Sequence, residues 1–317
     1  MLNMILAPIQ KFVRDEEAKF RVMTSLKFAA IPLASFIVLA CLIWGILTLN
    51  LLFIEAYGEH GTSQLREAFY DSVLLAITDL LPWLGLFFVA LIIGGLYMAN
   101  MVLRPFQVIG RYCEDKVNGV DSSYNPEFFE DLRLLSRFSD FFFLKLDFLR
   151  GRCAEGSKKD SIDVPAVFTG IHKPVFEYNF FLQFLLFTLM SSICATAAVH
   201  VVAVDIYDGI VNLAKETVMH DNAVNYFLGS QGYIWDGIIY LTVGLHTILY
   251  ISFLNHLYKK VATPAFGFFA TMRSFIKGNT GARVHLIGYT YVRNQSRKFN
   301  KYLDLAEAEF NRNTKKS

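Results

Sequence analysis

Residues 80–119 read LLPWLGLFFVALIIGGLYMANMVLRPFQVIGRYCEDKVNG, and residues 237–278 read GIIYLTVGLHTILYISFLNHLYKKVATPAFGFFATMRSFIKG. Each stretch opens as an uncharged apolar run, then meets a proline, and fourteen positions later a glycine: Pro105 and Gly119 in the first, Pro264 and Gly278 in the second. The apolar parts cover 80–103 and 237–258, and two more uncharged runs cover 28–54 and 178–204. About 20 apolar residues span a bilayer core, and each of the four runs is at least that long. A buried helix of a soluble protein seldom runs so far without a charge, and four in one chain of 317 residues exceed what a soluble core of this size needs. The sequence therefore predicts an all-α polytopic membrane protein with four transmembrane helices.

Lysine and arginine set the expected orientation. Segments 1–27, 104–173 and 259–316 carry 28 of the 30 basic residues, leaving Arg66 in loop 55–79 and Lys215 in loop 205–236. The basic side is expected to be the cytoplasm of a bacterium, with both termini in it and the spans in its inner membrane. The net charge of +2 hides this asymmetry and gives no reason to expect nucleic acid as a partner. Residues 1–27 are mixed in charge and the first apolar run is too long for a signal-peptide core, so an uncleaved start is expected. Residues 5–22 suit either an amphipathic helix on the membrane surface or a solvated one. Cys41 and Cys194 fall in spans and Cys113 and Cys153 on the reducing side, so neither a disulfide nor a Cys-x-x-Cys metal site is expected.

The chain repeats itself. The step from Pro105 to Pro264 equals the step from Gly119 to Gly278. Beyond the glycines the step grows by one, matching Arg133-x-x-Ser136-Arg137 to Arg293-x-x-Ser296-Arg297. One inserted residue explains the shift. The unit is span, outer loop, span, proline, helix, glycine, connector, helix. Both copies face the same way, as parallel repeats. The layout is an N-terminal segment 1–27, hairpin 28–104, module 105–150, linker 151–177, hairpin 178–259, module 260–311 and polar tail 312–317.

Within each module the proline suits the first turn of a helix. Phe106, Ile109, Cys113 and Lys116 then recur at three-four spacing, as do Ala265, Phe268, Met272 and Phe275. The glycine ends that helix. Asn125-Pro126 opposes helix in the first connector. A second seam follows: Leu132, Leu135, Ser139, Phe142, Leu146 and Leu149, against Val292, Gln295, Phe299, Tyr302 and Ala306. Two short amphipathic helices cannot bury a seam alone, so the seams call for a partner pair and a four-helix bundle.

On these residues the module resembles a HAMP domain, the membrane-adjacent relay of bacterial receptors. Pro105 with Gly119 and Pro264 with Gly278 match that family's proline and glycine. Glu130-Asp131-Leu132 is similar to its acidic-apolar step and Phe299-Asn300 to its Phe-Asn step. The departures are Val120 and Asn279 where an acid normally follows the glycine, Arg133 and Arg293 where the second helix has glycine, and Lys116 in the seam. The resemblance implies a parallel four-helix bundle that passes small helix movements across the membrane surface, with Pro105, Gly119, Pro264 and Gly278 as hinge and turn positions. The family forms the bundle by homodimerising. Here two modules share a chain, so either an intrachain pseudo-dimer or a homodimer is open. Cys113 with Met272, Ser139 with Phe299 and Leu146 with Ala306 pair small with large residues.

No catalytic, cofactor or metal site is expected. The outer loops, 55–79 and 205–236, are short for a folded ligand-binding domain. They are acidic, with Glu55, Glu59, Glu67, Asp71, Asp205, Asp208, Glu216 and Asp221. Glu216 and His220 at i,i+4 read better as a solvated face than as metal ligands, and His60 is unremarkable. His200 and His246 are the polar groups within the spans, while Asp79 and Asp236 mark span ends. Gly94, Gly95 and Ala99 offer a small face for close helix packing. No nucleotide loop, nucleophile elbow or zinc motif occurs, and no output domain is expected after the second module. The expected function is a transmembrane signalling adaptor acting through a cytoplasmic or membrane protein partner. The alternatives are a structural component of an envelope machine (motor, secretion or motility) and, third, a small transporter. The phenylalanine-rich helix with Phe138, Phe141, Phe142, Phe143 and Phe148 has more apolar surface than one seam uses, which suits either a partner or linker 151–177.

Overall fold

A computed structural model describes residues 15–57, 62–129, 132–154, 163–217, 226, 230 and 232–314. Glu59, His60, Glu130, Asp131, Gly156, Ser157, His220 and Asp221 lie outside the described residues. The described chain is helical and has no strand: α1 Glu16–Tyr57, α2 Thr62–Val117, α3 Arg133–Ala154, the short α4 Ala166–Thr169, α5 Tyr178–Thr217, α6 Gly232–Ile276 and α7 Arg293–Thr314. Four helices, α1, α2, α5 and α6, are long and apolar enough to cross a membrane.

Two features differ from the sequence reading. Of the stretch 5–22, residues 16–22 are continuous with the helix of the first apolar run, and residues 5–14 lie outside the described residues. Asp15 starts that helix: its carboxylate accepts the N–H groups of Glu17 (3.0 Å) and Ala18 (3.1 Å), satisfying two of the donors a helix N-terminus leaves open. Second, no helix begins at Pro105 or Pro264. α2 runs through the first and α6 through the second. An interior proline lacks an N–H and crowds the carbonyl four residues back. For Pro264 that carbonyl is Lys260's, and it accepts the Tyr291 hydroxyl at 2.6 Å. The lost helical bond is replaced from outside the helix.

The chain divides into two compact units, one of residues 25–95 and 186–254, the other of 1–24, 96–185 and 255–317. In the first, a stripe of Leu39, Ile43, Leu47 and Leu51 packs with Val73, Trp235, Ile238 and Ile239. The spacing of four keeps the stripe on one helix face. Phe28 is fully buried and packs against Phe187, Tyr250 and Phe253. Helices α1 and α2 approach closely at Gly95, where a Cβ would stand 2.6 Å from Ser25 Cα. There the Ser25 hydroxyl donates to the Ile92 carbonyl at 2.6 Å. This is the small-residue packing that lets helices meet in lipid. Around this core Ile37, Leu49, Leu81, Trp83, Ile93, Leu241 and Ile248 are each more than half exposed. An apolar outer surface of that kind suits lipid and is costly in water.

The second unit contains both modules and is ordered by two identical helix stops. α2 ends as Gly119 N–H donates to Lys116 O (3.3 Å) and Val120 N–H to Asp115 O (2.9 Å). α6 ends as Gly278 N–H donates to Phe275 O (3.1 Å) and Asn279 N–H to Ser274 O (3.1 Å). Both are Schellman motifs, and both need a left-handed residue at the turn. Gly119 has φ 75° and Gly278 φ 102°. The equivalent glycines of the repeat thus perform the same backbone task. Substituting either with alanine is expected to destabilise this unit by about 1 kcal/mol, the left-handed penalty. Gly281→Ala, at a position without positive φ, should be near neutral. Thermal unfolding of the purified protein in detergent measures the difference.

Candidate functional site

The seams of the two modules are buried against each other. Ile109, Cys113, Phe142, Leu146, Phe268, Met272, Val292, Phe299 and Tyr302 have no exposed surface, and Leu132, Leu135 and Phe275 keep 2%. The contacts run from one module to the other. Phe106 meets Phe268 with ring centroids 5.5 Å apart. Phe142 stands 6.0 Å from Phe299 and 6.3 Å from Phe275. Tyr302 packs on Phe143 at 5.8 Å and Tyr112 at 6.1 Å. The Ser139 hydroxyl donates to Leu135 O at 2.6 Å and rests 3.7 Å from Met272 Sδ, so its observed neighbour across the seam is Met272. Aromatic pairs at these separations add to the burial of their area. Lys116, expected in the seam, turns outward and lies 3.7 Å from Asp121.

Charge pairs border the seam. Arg150 on α3 makes a forked pair with Glu309 on α7, at 2.5 and 2.7 Å, and Lys298 reaches Glu114 at 2.6 Å. Forked arginine–carboxylate pairs are the strong members of this class. The Glu309 carboxylate beside it holds the Arg150 guanidinium even more firmly in its charged form.

The connectors are fastened differently. In the second copy the Asn300 side chain bonds both backbone groups of Val284, accepting its N–H (2.8 Å) and donating to its carbonyl (3.0 Å). Arg283 bonds Asp304 and Glu307 of α7 while donating to the carbonyls of Thr280 and Ala282. In the first copy the Tyr124 ring plugs against Tyr112 (5.3 Å) and Phe143 (4.6 Å). Its hydroxyl faces Ser139 without reaching hydrogen-bonding geometry, and burial pushes the phenol well above the ordinary tyrosine range.

Three polar ties join the modules to neighbouring segments. Glu17 of α1 accepts the amides of Gln107 (2.7 Å) and Gln295 (2.7 Å), one from each copy. Gln295 packs so closely on Gly110 that a Cβ there would collide with its Oε1. Glu177, the last linker residue, accepts the Leu134 N–H at 2.8 Å and so caps α3. Burial raises its carboxyl above the usual range, against the pull of the N–H groups it accepts. Arg273 of α6 donates to the carbonyls of Phe168, Thr169 and Ile171. Phe168 in turn packs on Phe138 at 5.0 Å. Part of the aromatic surplus on α3 is therefore covered by the linker. On the same helix Leu144 and Phe148 remain 63% and 55% exposed.

The sequence reading missed the Glu17 and Glu177 ties. The signal for the first was Gln295, an amide in an otherwise apolar seam, which implies a buried partner. The two histidines of the apolar runs separate: His246 is buried, 3.3 Å from the Ser35 hydroxyl, while His200 is on the surface. The cavity beside His246, bounded by Pro32, Thr196 and Thr242, is about 10 Å³, room for one water. Among the described residues no three metal-ligating side chains cluster.

Comparison with protein families, curated proteins and solved structures finds no match for this chain.

Two outcomes follow from the geometry. Tyr291→Phe removes the donor that serves the Lys260 carbonyl, and the loss should be about 1–3 kcal/mol. Backbone hydrogen exchange around residues 260–264 should rise more than elsewhere in α6. With native cysteines replaced, cysteines at 139 and 272 should form a disulfide within one chain; bands only at dimer mass would show that the seam closes between chains.

Proposed function

We propose that this chain is a transmembrane signal-transducing adaptor in which helix movement alters the packing of two HAMP-like modules. The modules pair within the chain as a pseudo-dimer, and a separate protein reads the change. The observation that carries this reading is the equivalence of the copies: identical Schellman stops at Gly119 and Gly278, and seams buried against one another. A homodimer would need those seams open. The single helices α2 and α6, each running through its proline toward its glycine, supply stiff levers. Pro105 and Pro264 would be hinges and the two glycines fixed ends. No residue is given a catalytic role, and no cofactor or nucleic acid is invoked. The asymmetry of 28 in 30 basic residues supports placement in a bacterial inner membrane with both termini in the cytoplasm.

A second reading, a structural subunit of an envelope machine, draws on the exposed Leu144 and Phe148 of α3, which suit a standing protein contact. A transporter is the weakest reading, because His200 and His246 do not share an environment.

Affinity purification from native membranes in mild detergent, with mass spectrometry, separates these readings. A stoichiometric regulator or enzyme is expected for the adaptor, and Pro264→Ala should change that partner's output while leaving the melting midpoint within a few degrees of wild type. A set of envelope-machine subunits would move the assignment to the second reading. Recovery of the chain alone would overturn both.

A further inference from the structure

The two copies are strapped to each other at corresponding points. The step that carries Arg133 to Arg293 and Ser136 to Ser296 also carries Glu17 to Glu177 and Phe20 to Phe180. The structure keeps this correspondence. α1 and α5 each begin within a residue of their glutamate. Each then leaves the unit that holds the modules, α1 after residue 24 and α5 after residue 185. Each glutamate therefore stands at the start of the first long helix of its copy, where that helix still belongs to the module unit.

Each glutamate residue makes one bond within its own copy and one across to the other. Glu17 accepts the Gln107 amide from α2 of its own copy on one carboxylate oxygen and the Gln295 amide from α7 of the second copy on the other, both at 2.7 Å. Glu177 donates its N–H to the Tyr258 hydroxyl of α6, in its own copy, at 2.8 Å. Its carboxylate accepts the Leu134 N–H of α3, in the first copy. The two crossing bonds end at the same place, because Gln295 lies in the first turn of α7 and Leu134 in the first turn of α3. Rings accompany each strap. Phe20 stacks on Tyr291 just ahead of α7, and Tyr258 packs on Phe176 and Phe181 beside Glu177, at 5.1 and 5.7 Å. One crossing donor is a side-chain amide and the other a backbone N–H, so what the copies share is the position and not the sequence. Hydrogen bonds to an ionised carboxylate are short and strong. A small shift of a first helix therefore draws the start of the opposite module helix with it before the bond gives way.

We propose that α1 and α5 are input helices whose movement crosses between the copies, Glu17 passing movement of α1 to α7 and Glu177 passing movement of α5 to α3. The levers α2 and α6 enter their own modules directly. Each module then receives one movement from its own hairpin and one from the other, and the two modules respond together. This rests on the reading that helix movement alters the packing of the modules, and not on any protein that reads the change.

The test is backbone hydrogen exchange of the full-length protein in nanodiscs of phosphatidylcholine with short or long acyl chains, because bilayer thickness changes the tilt of spanning helices. Exchange is read at the matched segments 132–139 and 292–299. In the wild type both segments should change several-fold between the two bilayers. Glu17→Ala should silence the response at 292–299 and leave it at 132–139, and Glu177→Ala should do the reverse. Gln295→Leu cuts the first strap from its other end. It supplies the residue that the first copy carries at that position, Leu135, so the seam stays apolar, and it should act as Glu17→Ala does. Glu16→Ala removes a charge from the same turn without touching a strap, and both responses should survive it. Loss in the variant's own copy, loss at both segments, or the same loss in Glu16→Ala would overturn the crossing. Responses that survive all three strap variants would overturn it too, and would leave the relay to α2 and α6 alone. A wild type whose segments do not respond to thickness would overturn the input role. No partner enters the readout, so failure of the adaptor reading leaves this outcome standing.

Discussion

Each module helix carries an apolar stripe, and that stripe must be covered by another helix. This constraint organises the unit that holds both modules. Ile109 and Cys113 on α2, Phe142 and Leu146 on α3, Met272 on α6 and Phe299 on α7 are all fully buried. Removing any one helix would expose the stripes of the others. At about 25 cal/mol per Å² of apolar area, a few buried aromatic side chains outweigh the edge contacts. The pairs Arg150–Glu309 and Lys298–Glu114 therefore set alignment more than stability, as partly exposed ion pairs do.

Backbone chemistry reinforces the same arrangement. A proline in a helix interior ordinarily costs about 3 kcal/mol. At Pro264 the Tyr291 hydroxyl takes the carbonyl the helix cannot use. Tyr291 lies just before α7 and its ring stacks on Phe20 of α1, centroids 4.2 Å apart. One side chain therefore ties the proline turn of α6 to the entrance of α7 and to α1. Glu17, one turn before Phe20, holds an amide from each copy. The first helix is thus bound to both modules by adjacent polar and aromatic contacts.

The large features were legible in the sequence because they are periodic. Hydropathy located four long helices, the constant offset between prolines and between glycines located the repeat, and three-four spacing located the buried stripes. Gly119 and Gly278 were legible as helix ends because a left-handed turn leaves few alternatives. What could not be read is long-range and polar. Glu17 meets partners 90 and 278 residues away, and no spacing rule reports such a contact. Pro105 and Pro264 were read as helix starts because local propensity says so. For Pro264 the compensating hydroxyl comes from beyond the end of α6, outside any local window. His200 and His246 looked alike by hydropathy, which does not say which face of a helix a residue occupies.

The pairing of α3 with α7 inside one polypeptide has a thermodynamic consequence. Two separate chains would associate by mass action, and their paired fraction would fall on dilution. Here the partners are tethered, and the second seam is present at an effective concentration set by the chain between them. Pairing is then a first-order equilibrium, independent of the concentration of the protein. The two faces also need not be identical, so each can drift separately, and the two connectors, one held by the Tyr124 ring and the other by Asn300 and Arg283, are an instance of that freedom.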